Sequence, residues 1–302
     1  MTHRILVSGA SGLIGSALVR ALTSGGFDVV RLSRGGAAGA WQVAWDPALD
    51  LAPESVSGFD AVVHLAGESI VGRWTAAKKQ RILESRVGPT ARLAKALALA
   101  PQPPQVLITA SAVGYYGNRG DEILREESAP GSGFLADVCR QWEAASEAAA
   151  KAGIRTAQVR SGLVLSSAGG ALVKMLLPFR LGLGGRVGNG RQWWSWIHID
   201  DVAGAIVHVV NSDVHGPVNV VGPNPATNAE FTKILGGVLT RPTIFPMPAF
   251  AARLAFGEMA DELLLASQRV EPAKLLGSGY RFKFEGLKEA LSELLAAGSG
   301  QR

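Results

Sequence analysis

Cysteine is almost absent, with Cys139 standing alone among 302 residues. One thiol closes no intramolecular disulfide and supplies no multi-cysteine zinc site, so a protein of the reducing cytoplasm without a metal site is expected. Long apolar runs are missing as well. The most apolar stretch, 202–210, is short and carries His208, whereas a membrane-spanning helix needs about 20 apolar residues. A strand-like apolar segment begins at Ile5 and leaves no room for the charged and apolar regions of a leader. No block of like charge occurs either, since 30 basic and 25 acidic residues give a net charge of +5 spread along the chain. These absences argue against a membrane or a nucleic acid as partner and favour a cytoplasmic protein; a monomer or homodimer is expected.

What is present is a large apolar fraction, 47 % of the residues, enough for one big core or two interlocked ones. Runs of Val, Ile and Leu recur at 5–7, 29–32, 61–65, 106–109 and 156–159. Between them lie segments of helical periodicity at 13–24, 75–99 and 135–152, the last stopped by Gly153. Strands alternating with helices predict an α/β chain, a Rossmann-like doubly wound parallel sheet with a smaller C-terminal α/β substrate domain. Beyond Ser161 the texture changes, with Gly169-Gly170, a glycine cluster from Gly182 to Gly190, and then Trp193, Trp194 and Trp196. The first domain is therefore set at 1–162, with 195–221 returning to it, and the second at 163–194 and 222–302. Pro242, Pro246 and Pro248 precede an expected helix at 249–267, and a last one is expected at 287–296.

The loop Gly9-Ala10-Ser11-Gly12-Leu13-Ile14-Gly15 follows a strand and opens a helix. In that context Gly9 makes the tight turn, Gly12 lets the backbone approach a pyrophosphate, and Gly15 lets the helix pack on the sheet. Helix-terminal amides around Ser11, Leu13 and Ile14 then face the phosphates. The second strand ends in Arg31-Leu32-Ser33-Arg34, with no carboxylate for ribose hydroxyls. Arg34 and the Ser33 hydroxyl instead suit a 2′-phosphate, which points to NADP(H) over NAD(H).

These residues resemble the extended branch of the short-chain dehydrogenase/reductases, which includes nucleotide-sugar epimerases and dehydratases. The loop from Ser8 to Gly15 is similar to that branch's cofactor loop, and His64-Leu65-Ala66-Gly67 to its strand-end motif beside adenosine and ribose. The segment from Thr109 to Gly117 resembles the strand end that carries the catalytic serine, here Ser111. The run from Trp196 to Val202 resembles the signature that joins the two domains. Gly67-Glu68-Ser69-Ile70, Ser85-Arg86, the run from Leu176 to Gly185 and that from Ala226 to Phe231 narrow the likeness to epimerase-family proteins with a distinctive C-terminal domain. The resemblance implies NADP(H), with contacts from Leu65, Ala66, Gly67, Glu68, Arg86 and Val164. It also implies a small-molecule substrate, such as a nucleotide sugar or a carbonyl compound. For Glu68 and Arg86 a plain ion pair holding the loop is the other reading.

One departure separates the chain from that family's chemistry. The Tyr-x-x-x-Lys pair falls on Leu135 and Cys139, and no tyrosine or lysine occurs from Phe134 to Glu143. Leucine has no proton to exchange and a thiol carries no permanent positive charge. Ser111 keeps its hydroxyl, and Tyr115 and Tyr116 follow it closely enough to replace the missing tyrosine if Arg86 or Arg160 lowers their pKa. Packing against the cofactor is the alternative for both tyrosines. Asp200 and Asp201 are expected to cap a helix starting near Val202, and the tryptophans to pack in the core or domain interface. An NADP(H)-binding oxidoreductase or epimerase-like enzyme is therefore expected, with a non-catalytic NADP(H)-binding sensor or assembly factor as the alternative.

Overall fold

The computed structural model describes residues 3–35 and 39–297. Seven parallel strands form the central sheet: β1 (Arg4–Ser8), β2 (Asp28–Ser33), β3 (Gln42–Ala44), β4 (Ala61–His64), β5 (Val106–Ala112), β6 (Arg155–Ser161) and β7 (Gly216–Val220). Their order across the sheet is β7-β6-β5-β4-β1-β2-β3. The order reverses at β1, which has β2 on one side and β4 on the other, so the loops leaving β1 and β4 part and open a crevice at their carboxyl ends. Five of these strands match the apolar runs in the sequence. The short β3 and the β7 edge, which carries Pro217 and Asn219, lacked that signal.

The two faces of the sheet differ, and the difference positions the site. On one face Ile5, Val7, Val63, Ile108, Val159 and Val220 pack under α1 (Leu13–Ser24) and the helix Ile199–Val210. The other face begins apolar, with Leu6, Val62 and Leu107 under α2 (Ala76–Ala98). Toward the carboxyl ends it turns polar. Ser8, His64, Thr109 and Gln158 form one cross-strand row, and Ser111, Arg160 and Asn219 form the next. All seven are buried.

The expected helix 135–152 divides into α3 (Phe134–Ala144) and a short helix, Glu147–Lys151. Ser146 makes the break, donating its hydroxyl to the Glu143 carbonyl and accepting from Gln158 Nε2. The expected helix 249–267 also stops early, at Gly257, whose φ of +62° ends the helix Ala249–Phe256 before a π-turn at Ala260–Leu264. Helix Ile199–Val210 begins three residues earlier than expected, and its N-cap is His198, which accepts the Asp200 amide on Nδ1. Asp201 therefore does not cap it. Its buried carboxylate accepts the Lys283 and Phe284 amides and the Tyr280 hydroxyl, fastening the chain before the final helix, Leu287–Ala297.

Helices Gly170–Arg180, Asn228–Leu239 and Leu287–Ala297 enclose a second core around Leu172, Phe231, Leu235 and Leu291. Trp196 and Ile199 join the same core, and Val164 and Ile14 border both cores, so the two are continuous. Among the described residues no helix is long and apolar enough to cross a membrane.

Candidate functional site

At the reversal point of the sheet, Gly9 adopts φ +69°, and a Cβ there would stand 2.8 Å from the Ala66 nitrogen and the Leu65 carbonyl carbon. Only glycine lets these two strand-end loops touch backbone to backbone. A Cβ on Gly15 would stand 2.0 Å from the Gly9 oxygen, so α1 comes this close to the loop only without a side chain there. Gly12 donates its amide to the Gly9 carbonyl and caps α1 without a side-chain hydrogen bond, and the first turn holds no acidic residue. Ser11 and Gly12 are exposed. This is an open helix N-terminus with a positive end and nothing negative beside it, an environment that suits a phosphate.

The expected contact residues surround that opening. Ser33 ends β2 half-buried, and Arg34 beside it is exposed. Leu13 rests against Gly169 and Gly170, so the second unit reaches the glycine loop. Val164 lies on the short strand Leu163–Leu165, paired with Trp196–His198. The Arg86 guanidinium lies over Gly67, with its Cζ 3.3 Å from where a Cβ would be, and over the Trp142 ring. It donates to the carbonyls of Ile82 and Glu68 and to the Ser85 hydroxyl. The Glu68 carboxylate turns away to Lys78 at 2.7 Å, whose hydrogen bond and charge hold it below its usual range. The alternative reading, a Glu68–Arg86 side-chain pair, is thus not formed: Arg86 holds the loop by its backbone, and Lys78 takes the carboxylate.

A second cluster lies where the polar rows end. The Ser111 hydroxyl donates to Glu143 Oε1 at 2.7 Å, and Arg160 grips the same carboxylate through Nε and Nη2, both at 2.8 Å. Arg160 and Glu143 are 2 % and 13 % exposed, so this bidentate pair is largely removed from water. Burial alone would lower the Arg160 pKa, but the Glu143 hydrogen bonds and charge outweigh it and hold the guanidinium charged. Arg160 Nη1 donates to the Tyr116 hydroxyl, which donates to Asn219 Oδ1 at 2.7 Å. The Tyr115 ring stacks on the guanidinium 3.5 Å from its centroid.

This geometry separates residues the sequence left together. Tyr116 is fully buried, and burial pushes its pKa up to about 12 despite Arg160, so it cannot meet a substrate or act as a base near neutrality. Tyr115 beside it is only half-buried. Ser111 is 3 % exposed and committed to Glu143. Leu135 packs against Gly114 and joins an apolar cluster with Trp74, Val138 and Met259. Cys139 is buried against the Ala112 carbonyl, and burial followed by the Glu143 charge pushes its thiol up to about 12. Both side chains are therefore packed into the fold. From the C-terminal unit, Glu262 accepts the Phe134 and Leu135 amides, each at 2.7 Å, and covers the start of α3.

Glu143 and Asn219 escaped the sequence reading. Glu143 carries no motif, and Asn219 enters the cluster only through the register that sets it beside Arg160. The tryptophans pack as expected in part. Trp196 is in the core and Trp194 stacks on Phe231, while Trp193 lies under Arg269 and donates to Asp121.

Residues 5–222 match the model of the NAD dependent epimerase/dehydratase family, and residues 247–294 match a domain of unknown function, DUF1731. An epimerase family protein of Mycobacterium bovis is 43 % identical over 290 residues, covering 95 % of this chain and 96 % of the relative. The human epimerase family protein SDR39U1 is 40 % identical over 298 residues, covering 97 % of this chain and all of the relative. A crystal structure of human SDR39U1 with NADPH superposes with a TM-score of 0.88 at 38 % identity, over 97 % of this chain and 99 % of that one. A nucleoside-diphosphate sugar epimerase from Corynebacterium glutamicum superposes at 0.82 with 39 % identity, over 98 % of this chain and 59 % of that one.

Proposed function

The chain belongs to the NAD dependent epimerase/dehydratase family, and we propose that it holds NADP(H) at the crevice between β1 and β4 and acts there as an oxidoreductase or nucleotide-sugar-epimerase-like enzyme. The backbone-to-backbone approach of Gly9 to Leu65 and Ala66, beside a helix N-terminus with no side-chain cap, carries this reading. The pyrophosphate takes the amides of Ser11, Leu13, Ile14 and Gly15, since that of Gly12 is donated to the Gly9 carbonyl. Ser33 and Arg34 take the 2′-phosphate, with no carboxylate at that strand end to repel it. Leu65, Ala66 and Gly67 line the adenosine side, Glu68 and Arg86 fix that loop, and Val164 borders the far end. The NADPH in the human relative supports the choice of cofactor.

When bound, the cofactor supplies or accepts the hydride, and the protein must handle the proton. Tyr115, with its ring on a guanidinium held charged by Glu143, is the residue assigned to that task. Ser111 and Tyr116 position the Glu143–Arg160 pair. A small substrate, a nucleotide sugar or a carbonyl compound, then lies between the first domain (1–162 with 195–221) and the second (163–194 with 222–302).

Titration calorimetry tests the cofactor. Arg34→Ala should weaken NADPH about tenfold or more and leave NADH unchanged; an unaltered NADPH/NADH ratio rejects the assignment. Turnover is tested by nicotinamide absorbance across nucleotide sugars, ketones and quinones, where Tyr115→Phe should cut the rate by about 100-fold or more.

The filled Leu135 and Cys139 positions and the committed Ser111 hydroxyl favour a second reading, a non-catalytic NADP(H)-dependent sensor or assembly factor. It predicts tight NADPH binding, silence across the same panel, and a partner captured differently with NADPH and NADP⁺.

A further inference from the structure

The C-terminal unit presents an apolar face that the cofactor cleft does not use. On helix Gly170–Arg180, Val173 and Leu177 lie one turn apart on the solvent side, and Leu181 continues the stripe. On helix Ala249–Phe256, Phe250 and Leu254 repeat the spacing, and Ile244 and Phe245 stand in the preceding loop. Leu177, Leu181, Ile244, Phe250 and Leu254 are each at least 65 % exposed. The segments that follow the one helix and precede the other adjoin: Arg241 Nε donates to the Arg180 carbonyl, the Met247 amide to the Arg186 carbonyl, and Gly182 abuts Pro242. Monomeric proteins rarely leave so many large apolar side chains together in water without a use for them.

Charge identifies the occupant. Residues 170–191 hold four basic and no acidic residues, and residues 233–256 hold three basic and none acidic, of which Arg253 is paired with Asp261. Arg180 and Arg241, joined through that backbone bond, are both exposed. A second copy docked by two-fold symmetry would set this basic rim against itself. A peptide would need a groove, whereas these side chains stand out from the surface. We propose that this face docks reversibly on a bilayer surface containing anionic lipid, its leucines and phenylalanines entering the headgroup boundary and its arginines meeting phosphate. The contact proposed is peripheral, no described helix being long and apolar enough to cross a membrane, and it departs from the expectation of no membrane partner. It is independent of the cofactor assignment.

The test is co-sedimentation of the full chain with vesicles of phosphatidylcholine, with and without phosphatidylglycerol, at low and high salt. Binding to the phosphatidylglycerol vesicles is expected, falling about tenfold or more at high salt. Leu177→Ser combined with Leu254→Ser should abolish it, and Arg180→Gln combined with Arg241→Gln should weaken it several-fold and flatten the salt dependence. Both pairs are on the surface, so an unchanged thermal midpoint verifies their fold. No binding to either vesicle, or equal binding to both, overturns the proposal. So does a concentration-dependent dimer that dissociates in the leucine variant without any vesicle binding, which would give the face to a second copy.

Discussion

His64 shows what one buried side chain contributes. Its Nδ1 meets the Ser8 hydroxyl at 2.5 Å and its Nε2 has no partner, so a charged imidazole would lack solvation. Burial lowers its pKa from 6.5 to about 4. The unfolded chain therefore binds the proton first, so stability from the neutral ring is complete above about pH 6.5 and is lost as pH falls toward 4. The loss should reach about 3 kcal/mol in urea unfolding followed between pH 7 and 4. His64→Gln should flatten the profile in that window; an unchanged slope would mean that the ring is solvated in the folded state.

At the scale of elements, the Glu143–Arg160 pair joins α3 to β6, and through Ser111 and Tyr116 it reaches β5 and β7. Desolvating both charges is costly, so removing one partner is worse than removing both. Glu143→Ala should cost about 3–5 kcal/mol by leaving Arg160 buried without a counter-charge, measured by denaturant unfolding. Glu143→Leu with Arg160→Met should cost less than either single change. If the costs simply add, the pair does not act as a unit.

Across the whole molecule, Asp201 ties the sheet's last helix to the C-terminal segment by accepting two amides and the Tyr280 hydroxyl. His198 adds Glu293 on the final helix at 3.0 Å. Asp201→Ala should cost about 3 kcal/mol, because buried donors lose a charged acceptor. It should also expose the chain after residue 280 to limited proteolysis before the Rossmann core opens. Cleavage in the unaltered order would show that other contacts hold this segment.

How much was legible in the sequence differs from one element to the next. Five strands, α1 and α2 were legible because apolar periodicity is a local signal, and Thr75 and Leu99 bound α2 on both sides. The glycine loop was legible because Gly9 and Gly15 each have one steric task, and the absence of tyrosine and lysine from 134–143 because a residue type is read directly. Cross-strand neighbours were not. Ser111, Arg160 and Asn219 are far apart in the chain and meet only through parallel register, and this pairing gathers Tyr116 and Glu143 into one buried cluster with them. Asp201 resembled a cap until the fold brought Lys283 and Phe284 to it. The sequence by itself determined the layers and the glycine loop, since each depends on neighbours in the chain. Tertiary structure decided which polar groups are buried together, because burial and pairing depend on residues that only folding brings into contact.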